Sequence, residues 1–208
     1  MADTLFDIEM LKTLKDITLP DPAEIEYWKL AENRTFFIDY EIEDDYRLME
    51  LGKTIIRMNI EEKDIPINEL KPITLFVFSY GGNLDLSIAF CDIVEMSRIP
   101  IITVCTGVAM SAGFLIFLSG HKRYAMKQSV FLAHQGWAEF SGTAAEIEAS
   151  QKNYKETLDK MRDYILSHTS IDKKSFDRNK NKDWYISGKD KIESYGIAKI
   201  ITTFEEIK

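Results

Sequence analysis

Residues 101–120, IITVCTGVAMSAGFLIFLSG, decide the fold. IITVC is a short continuous apolar run, the composition of a strand covered on both faces, and an apolar stretch too long for a second strand follows it. Gly107 is expected to break the strand, and Ser111 to open a helix that ends near Gly120. A buried strand that turns directly into a buried helix is a building unit of an α/β domain.

The same alternation extends in both directions. Upstream, ITLFVF at 73–78 is a second apolar strand of the doubly covered kind, stopping at Ser79-Tyr80-Gly81-Gly82. Leu84, Ile88, Cys91 and Val94 lie on one face of the helix between the two strands, which Pro100 ends. Earlier still, the aromatic and β-branched TFFIDY at 35–40 predicts a strand. Leu48, Leu51, Ile55 and Met58 then predict an amphipathic helix, and a polar connection with Pro66 and Pro72 follows. Downstream, SVFLA at 129–133 is a strand that delivers His134, and Thr143 with Glu146 forms a capping box for a long helix spaced by Ile147, Tyr154, Leu158, Met161 and Ile165. The polar stretch DKKSFDRNKNKD at 172–183 reads as a loop. A short helix capped by Ser187 and closed by Gly196 comes next, and IAKII at 197–201 is the last strand. Repeated strand–helix alternation implies parallel pairing with right-handed crossovers. Residues 1–30, with Pro20, Pro22 and many acids, read as an arm before a single domain at 31–208.

Composition narrows the function. A balance of 45% hydrophobic and 29% charged residues in 208 is that of a globular chain. A net charge of -8 argues against nucleic acid, which is held by clustered Lys and Arg, and Arg178, Lys180 and Lys182 make only a small basic loop. Cys91 and Cys105 sit in apolar stretches without metal-ligand or CxxC spacing, as buried thiols in a reducing compartment do, and the cytoplasm is the expected location. The N-terminus lacks the layout of a signal peptide, and the apolar run SAGFLIFLSG is short of the ~20 residues that cross a bilayer, so neither export nor a membrane span is expected.

Three features bear on chemistry: the paired glycines Gly81-Gly82 after a strand, the small-residue turn from Gly107 to Gly113 between strand and helix, and His134 at a strand end. A serine at such a turn is exposed beside backbone amides, and an imidazole within reach takes its proton and returns it to a leaving amine. An acid on the second ring nitrogen would fix the tautomer, with Asp172, Asp177, Asp183 and Asp190 all in the right part of the chain. Backbone amides are the usual donors to a developing oxyanion, and those of Gly82 and Ala112 fit that role. Trp137, Phe140 and Trp184 are aromatic residues suited either to a substrate cleft or to an interface. The apolar face of the long helix suits either core or subunit contact.

Taken together these stretches resemble the proteolytic subunit of Clp protease, from about Thr35 to Ile201. The family's S-P-G-G turn is matched by Ser79-Tyr80-Gly81-Gly82, its G-x-A-x-S-x-G turn by Gly107 to Gly113, and its His-Gln step by His134-Gln135. Asp183 takes the place of the family's aspartate, shortly before the segment from Ser187 to Gly196. Tyr80 and Gly136 stand where the family has prolines, and Lys199 where it has an aspartate. The resemblance implies a spiral of β-α-β units related to crotonases, with a protruding strand–helix handle at about 135–168. It further implies a serine endopeptidase with Ser111, His134 and Asp183 as triad and Gly82 and Ala112 as oxyanion donors. Heptameric rings stacked into a tetradecamer, an AAA+ unfoldase that alone uses ATP, unfolded polypeptide substrates and no cofactor complete the expectation. Two other classes are a non-catalytic ring subunit that modulates an active paralogue and an acyl-CoA enzyme of the crotonase type.

Overall fold

The computed structural model describes residues 21–43, 46–136 and 138–208. The chain divides into two compact units, one ending at Arg34 and one spanning Thr35–Lys208. Most of the arm expected at 1–30 lies outside the described residues. The part within them is a helix, α1 (Pro22–Glu32), whose N-cap Asp21 accepts from the Glu24 amide while the Glu24 carboxylate accepts from the Asp21 amide. That reciprocal box, with Pro22 opening the first turn, supplies a helix start that the many acids of this stretch obscure.

The second unit is a mixed α/β domain around a mostly parallel seven-stranded sheet. Strand β1 (Thr35–Ile38) leads through α2 (Arg47–Glu61) to β2 (Ile73–Ser79), then through α3 (Leu84–Met96) to β3 (Ile101–Met110) and through α4 (Ala112–Leu118) to β4 (Lys122–Met126). Each of these strands pairs in parallel with the one before it. The residues spaced for the α2 face, Leu48, Leu51, Ile55 and Met58, are all buried. Helix α4 is buried on every side, which its uniform apolarity requires. Among the described residues no helix is long and apolar enough to cross a membrane.

Gly107 does not break the strand. β3 runs on to Met110, and between the pairs Val77–Cys105 and Ser79–Ala109 the β2 chain advances two residues while β3 advances four. At this bulge β3 exchanges one neighbour for another: Ile102–Cys105 pair with β4, whereas Val108–Met110 pair with β5 (Val130–Ala133). Gly107 lets the Phe78 ring lie against the bulge, where a β-carbon would stand 2.7 Å from it. The bulge re-aims the strand end, and Ser111 with it. β2 also departs from a doubly covered strand, since its residues alternate between buried and partly open and Phe78 is 40% exposed.

The C-terminal part follows with α5 (Ala144–His168), α6 (Lys173–Asn179), β6 (Trp184–Ser187), α7 (Lys189–Ser194) and β7 (Lys199–Ile201). α5 begins at the Thr143–Glu146 capping box and covers the helical stretch of the expected handle; among the described residues no strand lies between His134 and Thr143, where that expectation places one. The stretch read as a loop contains α6, capped by Asp172 and anchored by the buried Phe176, a helix too short for its periodicity to register. Ser187 ends β6 rather than capping α7, whose N-cap is Gly188 at φ 85°.

Both cysteines are free and buried. Burial pushes the Cys91 thiol up to about 12, so it stays protonated at neutral pH. Alkylation of native protein at Cys91 by iodoacetamide should therefore be at least ~100-fold slower than in denaturant, where the thiol has an ordinary pKa of about 8.5. Equal rates by peptide mass mapping would contradict this.

Candidate active site

Ser111 joins β3 to α4 at φ 52°, ψ −124°, a conformation that side-chain-bearing residues rarely adopt. Its amide donates to the Leu132 carbonyl at 2.9 Å and its own carbonyl accepts from Phe114 at 3.0 Å, so the turn is pinned from both sides. α4 is sunk into the core immediately after it, which leaves the Ser111 side chain at the sheet edge, half-buried and pointing to the cleft.

The glycine turn interlocks with this turn. A β-carbon on Gly81 would stand 2.7 Å from the Met110 carbonyl oxygen, 2.8 Å from Ser111 Cβ and 3.1 Å from the Ala112 amide nitrogen. Gly113, reciprocally, lies against Ser79, whose buried hydroxyl donates to the Tyr40 carbonyl at 2.8 Å and accepts from the Gly81 amide at 3.2 Å. On its other side the turn forms a parallel bridge to Ile42. The Ile42 amide donates to the Gly81 carbonyl at 2.7 Å, and the Asn83 amide donates to the Ile42 carbonyl at 2.6 Å. A parallel bridge uses the groups of the residues flanking its centre, so the Gly82 amide faces away from Ile42. Neither it nor the Ala112 amide donates to another group among the described residues.

His134 and Asp183 are placed by strand register. β5 and β6 run antiparallel with Val130 opposite Ser187 and Ala133 opposite Trp184, and the next rung sets His134 opposite Asp183. His134 Nδ1 lies 3.2 Å from Asp183 Oδ1, with the imidazole 26% and the carboxylate 59% exposed. β6 is thus what selects Asp183; Asp172 caps α6, and Asp177 pairs with Lys173 and Lys180. The contact is long for a charge-assisted hydrogen bond and open to water on the acid's side.

Ser111, His134 and Gly82 line one cleft of about 720 Å³, closed opposite by Tyr154, Thr157 and Met161 of α5. Asp183 sits in an adjoining hollow of about 240 Å³ with Lys180 and Lys182, and His134, Gln135 and Gly136 line both cavities. Ser111 makes no side-chain hydrogen bond among the described residues, to His134 or elsewhere, a looseness common in such sites without substrate. Of the aromatic candidates Phe140 lines the cleft, Trp184 is buried edge-on against Tyr195, and Trp137 lies outside the described residues. The contribution of Tyr154, Thr157 and Met161 escaped the sequence reading, although the same 3-4-7 spacing that suggested a core face marks the side of α5 turned to the cleft. His121 is structural: its Nδ1 accepts from the Ile101 amide at 2.9 Å, and burial lowers its pKa. His168 pairs through Nε2 with Glu95 at 3.0 Å.

A family model described as Clp protease matches residues 23–204. The chain is 27% identical over 173 residues, 82% of its length and 83% of the relative's, to the ATP-dependent Clp protease proteolytic subunit 2 of Treponema pallidum (strain Nichols). It is 28% identical over 160 residues, 76% of its length and 79% of the relative's, to the protein of the same name from Treponema denticola (strain ATCC 35405). To the ATP-dependent Clp protease proteolytic subunit of Dehalococcoides mccartyi (strain CBDB1) it is 26% identical over 184 residues, 88% of each chain. The family match takes in the glycine turn, the serine turn and the His134–Asp183 ladder alike, and the chain belongs to the Clp protease family.

Proposed function

We propose that the chain is a serine endopeptidase subunit that cleaves unfolded polypeptides within a ring-shaped chamber. The observation that carries this reading is the interlocking of two turns, which brings the unbonded amides of Gly82 and Ala112 next to Ser111, at a cleft that His134, paired with Asp183, also lines. Ser111 Oγ attacks the substrate carbonyl as His134 Nε2 takes its proton. With Nδ1–H donating to Asp183, the imidazole holds the tautomer that leaves Nε2 free and is stabilised once it becomes an imidazolium. The Gly82 and Ala112 amides receive the oxyanion, His134 then protonates the leaving amine, and water repeats the sequence on the acyl-enzyme. No cofactor enters this chemistry.

The names of the relatives tie a proteolytic subunit to ATP. We assign that use of ATP to a separate AAA+ unfoldase feeding heptameric rings, or a tetradecamer of two of them, in the cytoplasm. The test is labelling of the assembled protein by a fluorescent fluorophosphonate, with the modified peptide located by mass spectrometry. Label on Ser111 supports the reading; an assembled yet unlabelled protein overturns it. The unmade Ser111–His134 hydrogen bond favours a second reading, a latent ring subunit that acts beside an active paralogue, which predicts assembly without label.

Asp183→Asn is expected to lower turnover by about 10²–10³-fold, measured with a fluorogenic peptide. The same exchange costs ~10⁴-fold where the acid is buried, and the open Asp183 carboxylate, shared with water, supports the imidazolium less. Turnover within threefold of the parent would remove Asp183 from the triad.

A further inference from the structure

We propose that Tyr154 is a positioning residue for His134, its hydroxyl holding the chain just after the imidazole in register with Ser111; this rests on the peptidase reading above. Upstream, His134 is fixed by the β5–β6 ladder and by the Ser111–Leu132 bond. Downstream that support ends. Among the described residues no backbone–backbone hydrogen bond involves 135–142, and Gly136 at φ 69° is a residue with the least intrinsic restraint on its backbone. A strand end that must hold an imidazole to a fraction of an ångström needs a tie on this side.

Tyr154 supplies it. Its hydroxyl donates to the Gln135 carbonyl at 2.8 Å, across nineteen residues of chain. Phe140 meets its ring edge-on at 5.8 Å, and the hydroxyl lies 3.7 Å from where a β-carbon on Gly136 would stand. From Ala144 to Glu156 every residue of α5 is exposed except Ile147 and Tyr154, so Tyr154 is one of two side chains of this stretch that are partly withdrawn from solvent. The Tyr154 ring lines the same cleft as Ser111 and His134. Burial raises its pKa, which keeps the hydroxyl protonated, and so a donor, across the working pH range.

A side chain in this place could instead only shape the cleft. Tyr154→Phe separates the two roles, because it keeps the ring and the Phe140 contact and removes the donor. In assembled protein we expect kcat for a fluorogenic peptide to fall about five- to tenfold, the size of one net hydrogen bond, with KM within twofold. The labelling rate of a small fluorophosphonate, which fills little of the cleft, should fall by the same factor. A changed KM with unchanged labelling rate would make Tyr154 cleft wall only and overturn the positioning role. Equal rates for Tyr154→Phe and a labelled wild type overturn that role alone, whereas a wild type that does not label overturns the peptidase reading and the role with it.

Discussion

Ser111→Ala is expected to lower peptide turnover by about 10⁶-fold and to abolish fluorophosphonate labelling, while leaving the melting temperature almost unchanged. Loss of the nucleophile removes the covalent route altogether, and in enzymes with a Ser-His-Asp set it costs about as much as losing all three members. Alanine keeps the β-carbon, so it keeps the backbone strain at φ 52°, ψ −124° as well. Ser111→Gly gives the complementary result. A glycine adopts this conformation freely, which releases about 1–3 kcal/mol of strain, against roughly 0.5–1 kcal/mol for its greater freedom in the unfolded chain. A net gain of about 1 kcal/mol should raise the melting temperature by about 2–4 °C in a protein that no longer cleaves peptide. A serine retained at the cost of stability is what a functional site produces, whereas a packing residue would show no such opposition. A Ser111→Gly protein that melts no higher than Ser111→Ala would mean the turn is unstrained, and turnover within about tenfold of the parent in either would remove Ser111 as nucleophile.

The strand–helix alternation was legible because each unit obeys its period: Leu48, Leu51, Ile55 and Met58 of α2 are all buried, and ITLFVF and IITVC are strands. What failed did so for physical reasons. Gly107 punctuates a sequence but not this strand, because a bulge admits a glycine without ending the ladder, and only the register between β2 and β3 shows it. α6 is two turns long and rests on one buried residue, Phe176, too little for a periodic signal. The candidate site was legible in parts. Ser111, His134 and the glycines announce themselves by residue type, but Asp183 was one of several aspartates, and residue types alone do not choose among them. β6 does so, since the pairing of Ala133 with Trp184 sets the rung on which Asp183 meets His134. Long-range register of this kind is absent from local pattern, as is the fold of α5 back over the cleft that brings Tyr154 to Gln135.

Gly82→Ala should be the most damaging substitution outside the triad, because the residue carries two separate requirements. At φ 137° an alanine is strained wherever there is room, and here there is none: its β-carbon would stand 2.1 Å from the Ile42 carbonyl oxygen and 2.8 Å from the carbonyl carbon. Ile42 is itself buried, at 1% exposure, so it cannot swing away without opening the core. The bridge must part and give up its two backbone bonds, Ile42 to Gly81 and Asn83 to Ile42. Strain of about 1–3 kcal/mol and two bonds of roughly 0.5–1.5 kcal/mol each put the loss near 3–5 kcal/mol, or about 6–20 °C in melting temperature. The amide moves with the bridge. Removal of one oxyanion donor costs about 10²–10³-fold in turnover, and that loss should persist at temperatures where the variant is fully folded. The neighbouring Gly81 tests the assignment from the other side, since its β-carbon would press on Met110 and Ser111 rather than on Ile42. Gly81→Ala should thus disturb the nucleophile directly, with loss of labelling as well as turnover. If folded Gly82→Ala retains turnover within threefold, its amide is no oxyanion donor, and the double glycine serves packing of the two turns alone.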